Sequence, residues 1–201
     1  MRIGRRDPTR SNLRQFASEL SRLAEARPPA GRVCGETCSQ HCPECGSTKC
    51  DCRCTPHCPV APTALSGDPA HYPIEPGIMP LVFEMKRQGM FTPCWSCEGH
   101  LDGQGVLRKL PQVWFYCTSP LHLRLLAAGL AGLAHGGRLS APWQVVVTYS
   151  DTDNPQTTYS LEPQPAAGHS LPRLQADVQI LANALPTWMR EEARRLSGAI
   201  A

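Results

Sequence analysis

The sequence predicts an α+β fold: a small mixed sheet with two or three packed helices, preceded by an N-terminal helix and a metal-stabilised cysteine-rich segment. Three observations predict it. From residue 78 onward, short apolar runs bounded by Gly and Pro alternate with longer runs at helical spacing, the pattern of strands and helices packed in layers. Residues 11–26 carry Leu13, Phe16, Ala17, Leu20, Leu23 and Ala24 on one helical stripe. Residues 34–58 hold eight cysteines and almost no large apolar side chain, so burial of their own surface cannot fold them. These observations divide the chain into a basic amphipathic helix (1–32), a metal-binding segment (33–58), a Pro-rich linker (59–77) and an α+β domain (78–201). Hydrophobic residues make up 41% of the 201, enough to fill one core.

Ser11 can cap the first helix, and Pro28-Pro29 with Gly31 ends it. Five prolines, at 59, 62, 69, 73 and 76, mark the linker. A helix over 79–88 has Pro80 in its first turn and Gly89 just past its end. Residues 90–95 and the aromatic run 112–118 (Val113, Trp114, Phe115, Tyr116) read as strands. Residues 120–135 form a helix that is apolar nearly all round, stopped by Gly136-Gly137. Residues 143–150 and 157–161 read as a hairpin around the polar loop 151–155. Leu171, Leu174, Val178, Leu181 and Leu185 place a final helix over 170–185, with a kink or break expected at Pro186.

No stretch is apolar for long enough to span a membrane, and no signal-peptide core follows the basic Met1-Arg-Ile-Gly-Arg-Arg start, so a cytoplasmic location is expected. There, cysteines act as metal ligands before disulfides. The candidate ligands are Cys34, Cys38, Cys42, Cys45, Cys50, Cys52, Cys54 and Cys58, with His41 and His57 interleaved. Zn2+ takes four S or N ligands. Cys42-Pro-Glu-Cys45-Gly46 resembles a zinc-ribbon knuckle, and the one-residue spacers of Cys50, Cys52 and Cys54 resemble multi-zinc thiolate clusters. Cys38, Cys42 and Cys45 also match the spacing of the radical-SAM iron–sulfur motif, so an iron–sulfur cluster is the alternative cofactor.

Net charge is only +3, but residues 1–32 carry eight Arg against three acids. Arg2, Arg5, Arg6, Arg10 and Arg14 form an arm suited to nucleic acid, or a solvated helix face. In the compact domain, Cys94-Trp-Ser-Cys97-Glu-Gly-His100 carries the chemistry. Gly99 permits a turn bringing the His100 imidazole towards the Cys97 sulfur, with Glu98 or Asp102 as its orienter. His100 would then activate the Cys97 thiol for catalysis. Two alternatives are a second metal site from Cys94, Cys97 and His100, and a structural turn with Cys94 in the core.

Gly89, Phe91-Thr92 and Ser96-Cys97-Glu98-Gly99-His100 together resemble the Ser-Cys-x-Gly-Arg region of the tRNA wybutosine-synthesising methyltransferases, over residues 74–150. His100 stands where that family has Arg, and the cysteine-rich segment has no counterpart in it. The resemblance implies an α+β fold and S-adenosylmethionine-dependent RNA modification. The residues themselves point first to a zinc-binding protein with a ligand- or partner-binding domain, then to a tRNA-modifying enzyme, then to an iron–sulfur protein.

If metal folds residues 34–58, a chelator should release their amide protons to exchange while 78–185 stay protected by their own core. Hydrogen exchange read by mass spectrometry checks this, and equal protection of 34–58 with and without chelator refutes it.

Overall fold

The computed structural model describes residues 10–25, 65–68, 70–148, 157–166 and 168–200. The eight clustered cysteines, the loop 151–155 and Arg2, Arg5 and Arg6 lie outside the described residues. Four helices and six strands are described in the order α1 (Arg10–Glu25), α2 (Met79–Arg87), β1 (Phe91–Cys97), β2 (His100–Leu101), β3 (Leu107–Lys109), β4 (Gln112–Cys117), α3 (Pro120–His135), β5 (Trp143–Thr148), β6 (Thr158–Pro163) and α4 (Leu171–Ile200). The α+β class is as the sequence predicts. Among the described residues no helix is long and apolar enough to cross a membrane.

Four strands form one sheet in the order β1-β4-β6-β5, and β2 with β3 forms a separate ribbon. Every pairing in the main sheet is antiparallel, which corrects the expected mixed sheet. The reason lies in the connection through α3. β4 and β5 run in the same direction, but β6 lies between them and pairs with both. The parallel pair expected of a strand–helix–strand unit is thus split by an antiparallel strand.

The α4 helix binds the layers together, with α1, α2 and α3 all packed on it. It runs unbroken through Pro186, which corrects the expected break there. Leu185, Met189, Ala193 and Leu196 are buried on both sides of the proline, and that burial outweighs the one lost backbone bond. The small residues of α3 explain its all-round apolarity: Trp188 of α4 lies directly on Gly132, and Leu185 packs beside Gly129. Ser119 caps α3, its hydroxyl accepting from the Leu121 N–H at 3.2 Å, with Pro120 in the first turn. Gly89 and Gly137 follow α2 and α3 at positive φ, as expected of C-terminal stops.

The inner face of the sheet supplies Phe91, Val113, Phe115, Leu161 and Trp143 to the core. The core also takes in α1, whose Leu20 is 1% exposed. Full burial of a leucine side chain is worth about 1.5–3 kcal/mol, so α1 docks rather than standing apart. A polar contact supports that docking. Glu19 accepts from Ser119 Oγ at 3.1 Å and pairs with His122 Nε2 at 2.9 Å. Burial holds the His122 ring below its ordinary pKa, against the pull of Glu19, with the Arg22 charge adding to the depression.

The polar anchor of the core is Asp177 of α4, 2% exposed. Its carboxylate accepts from Ser140 N (2.8 Å), Ser140 Oγ (2.9 Å), Ala141 N (3.3 Å) and Trp143 Nε1 (3.1 Å). Asp177→Ala leaves the buried Ala141 N–H and Trp143 indole N–H unpaired, while the donors of exposed Ser140 can turn to water, and should cost about 2–6 kcal/mol, given about 1–3 kcal/mol per orphaned group. Asp177→Asn, which keeps one acceptor oxygen, should cost less. Urea unfolding checks both, and a loss under about 1 kcal/mol for the alanine variant would contradict the role assigned to the carboxylate.

Candidate metal centre

The site forms where β1 ends. Phe91, Thr92 and Pro93 pair with Cys117, Tyr116 and Phe115, but Trp95 pairs with Trp114, so Cys94 is the extra residue of a bulge. The bulge swaps the faces of the strand: Phe91 sits against Phe115 in the core, whereas Trp95 sits over Trp114 on the opposite face. Cys97 ends the strand opposite Gln112 and is 2% exposed. Gly99 then turns the chain at φ +86°, and a β-carbon there would strike the Leu171 side chain at 2.6 Å and the Lys109 carbonyl at 3.0 Å. Only glycine meets both demands. His100 follows at once on the ribbon, paired with Lys109.

The third member comes from the far side of α2. The Glu75 carbonyl accepts from the N–H groups of Ile78 and Met79 at the start of that helix, and its side chain reaches the β1 turn. Glu75 Oε2 accepts from the Glu98 N–H at 2.8 Å, while Glu98 Oε2 accepts from the Gly77 N–H at 2.6 Å. The two loops are therefore clasped by reciprocal carboxylate-to-backbone bonds. Gln175 of α4 completes the clasp by donating to the Glu98 carbonyl at 3.2 Å. Gly77 allows this approach, since a β-carbon would lie 2.7 Å from the Glu98 carboxylate.

The clasp brings Glu75, Cys97 and His100 together, with one ligand atom from each lying within 4.8 Å of the others. His100 Nε2 is 3.1 Å from Glu75 Oε1. Zn–ligand bonds of about 2.0–2.3 Å set tetrahedral edges of about 3.3–3.8 Å, so the three atoms close on one ion after small side-chain shifts. Two of the three side chains have outer support: Glu98 N–H holds the other Glu75 oxygen, and Gly99 N–H donates to Cys97 Sγ at 3.4 Å. The donor set fits zinc.

Several sequence expectations are corrected. The imidazole is oriented by Glu75, which the sequence reading had placed in the linker, and not by Glu98 or Asp102. Glu98 is turned to Gly77. Asp102 accepts from Gln104 N, Val106 N and Arg108 Nε, and those donors, Val106 first, hold its carboxyl below the usual range. At the Cys97 thiol, burial pushes the pKa up, the Gly99 N–H and Lys109 pull it down, and Glu75 and Glu98 push it up again. Cys94 is exposed at the bulge rather than in the core and stays outside the three-residue group. Cys117 is half-buried and donates to the Ser119 carbonyl.

Comparison of the chain with protein-family models, with curated proteins and with solved structures returned no match.

Because the Cys97 pKa is raised, its thiolate fraction at neutral pH is below that of an ordinary thiol. Burial raises the Cys94 thiol as well, so exposure separates the two: in metal-free protein Cys97, 2% exposed, should alkylate more slowly than exposed Cys94, with its rate still climbing above the pH where a free thiol has levelled off. Site-resolved mass spectrometry across pH checks this, and a Cys97 that labels first at pH 7 contradicts it.

Proposed function

We propose that the protein binds zinc, and that its α+β domain is a ligand-binding module built on Glu75, Cys97 and His100, with residues 33–58 as a separate thiolate module. The convergence of these three side chains from two clasped loops carries the reading. A mixed O, S and N donor set suits Zn2+ better than hard oxygen-seeking ions or all-thiolate iron–sulfur clusters. Three protein ligands leave a fourth position for a donor from outside the chain, which all-thiolate structural sites lack. Zinc would also supply what the metal-free site lacks, since a coordinated thiol gives up its proton outright and the Glu75–His100 pair gains a cation between its atoms. Ligand binding at an open zinc position is therefore the activity proposed for the domain.

Zinc-loaded full-length chain should lose one tightly bound equivalent when Glu75→Gln, Cys97→Ser or His100→Ala is introduced. Alternatively, that equivalent should weaken by more than the roughly 10–100-fold typical of outer-shell changes. Elemental analysis with zinc-chelator competition reads both. Unchanged stoichiometry and affinity in all three variants would sink the proposal.

A further inference from the structure

We infer that the ligand taken at this centre is a nucleoside phosphate, its base stacked on Trp95 and its phosphate shared between Lys109 and the open metal position. The inference rests on the zinc reading above. The bulge that shapes the end of β1 also turns Trp95 out of the core and onto Trp114, with ring centroids 5.1 Å apart and planes tilted by 54°. Trp95 is 39% exposed, so part of its indole is open to a stacking partner. Trp114 is fixed beneath it, its indole N–H donating to Gln112 Oε1 at 3.1 Å. The pair is a held aromatic platform, the kind of surface on which bases stack.

Lys109 links this platform to the metal centre. Its backbone pairs with His100, and its Nζ lies 4.5 Å from the Trp95 ring centroid. An exposed lysine on a flexible stem gives up a ring face at small cost, and its ammonium is a suitable point charge for phosphate. The nearby carboxylates do not oppose an anion strongly. Glu75 would be neutralised by the metal and Asp102 is paired with Arg108, while Glu98 and Glu162 keep their charge but turn their oxygens to the Gly77 N–H and Ser160 Oγ. Reach sets the ligand class. Trp95 and Cys97 are two residues apart on one strand, about 6–7 Å along the backbone. A base separated from its phosphate by a ribose covers that span, whereas a carboxylate attached directly to an aromatic ring does not.

The test titrates zinc-loaded full-length chain with adenosine monophosphate, adenosine, inorganic phosphate and a short oligothymidylate, following tryptophan fluorescence and heat, with zinc content measured on every sample. Adenosine monophosphate should bind more tightly than either adenosine or phosphate alone. Trp95→Ala and Lys109→Ala should each weaken it by about tenfold or more, the lower range for loss of a stacked base. Trp95→Phe, which keeps a ring, should retain most of the affinity. Binding of the strand beyond that of the monophosphate, with steep salt dependence, identifies a single-stranded nucleic acid as the source, while equal binding identifies a free nucleotide. Either outcome supports the inference. It is overturned if the monophosphate binds no better than phosphate, or if Trp95→Ala and Trp95→Phe behave alike. Zinc held at the centre without nucleotide binding overturns this inference and leaves the zinc reading standing, whereas wild-type chain with no zinc at the centre overturns both.

Discussion

Four donors converge on the buried carboxylate of Asp177, and the placement of α4 follows from that contact. A buried carboxylate is tolerated only where its oxygens are satisfied, so the register between α4 and the entry to β5 is strongly specified. Once α4 is set, the rest is placed against it. The α1, α2 and α3 helices all pack on its sides, and its first two turns supply Leu171 beside Gly99 and Gln175 on the Glu98 carbonyl. The Glu75–Cys97–His100 cluster therefore depends on a helix whose own position is decided at the other end of the sheet.

The candidate centre is built where elements end, with Cys97 closing β1, His100 opening β2 and Glu75 just before α2, and reciprocal bonding holds the connecting loops together. Glu75 and Glu98 each bond to the backbone of the other's loop, so neither loop moves without breaking a charge-assisted hydrogen bond. Glycine is needed on both sides, at Gly77 for close approach and at Gly99 for a positive φ in a crowded corner. Burial first, and then Glu75 and Glu98, favour the neutral Cys97 thiol. A divalent cation would reverse that preference, because it pairs with the thiolate and the carboxylate together.

A second buried acid–base pair serves a different end. Glu19 and His122 join α1 to the start of α3, next to the Ser119 cap. The pair ties the helix that precedes the cysteine-rich segment into the same core as the metal centre. Glu84 does comparable work on α2, where burial pushes its carboxyl up while Arg87, bonded at 2.8 and 2.9 Å, pulls it down. In both pairs a carboxylate is kept in a half-apolar setting by a nitrogen partner, one across two helices and the other one turn along the same helix.

The sequence by itself determined the class of fold and most of its elements, because these follow from local periodicity and end signals. Helix α3 runs over the residues its Pro, apolar run and double Gly predict, and the aromatic strand β4 and the final hairpin are where their alternation places them. It also determined that Cys97, Gly99 and His100 share a turn, since three residues that close have few other conformations. The tertiary structure alone decided the rest. The order β1-β4-β6-β5 depends on non-local pairing, which no run of residues announces. Continuation of α4 through Pro186 depends on burial that outweighs a local penalty. The partner of His100 is Glu75, one of two acids in a Pro-rich stretch, and Gly77 and Glu98 that hold it in place lie 21 residues apart in the chain. Sequence spacing reports neighbours along one helix or strand, but a site made by clasping two loops is defined by backbone donors and carboxylates that meet only after the core has closed.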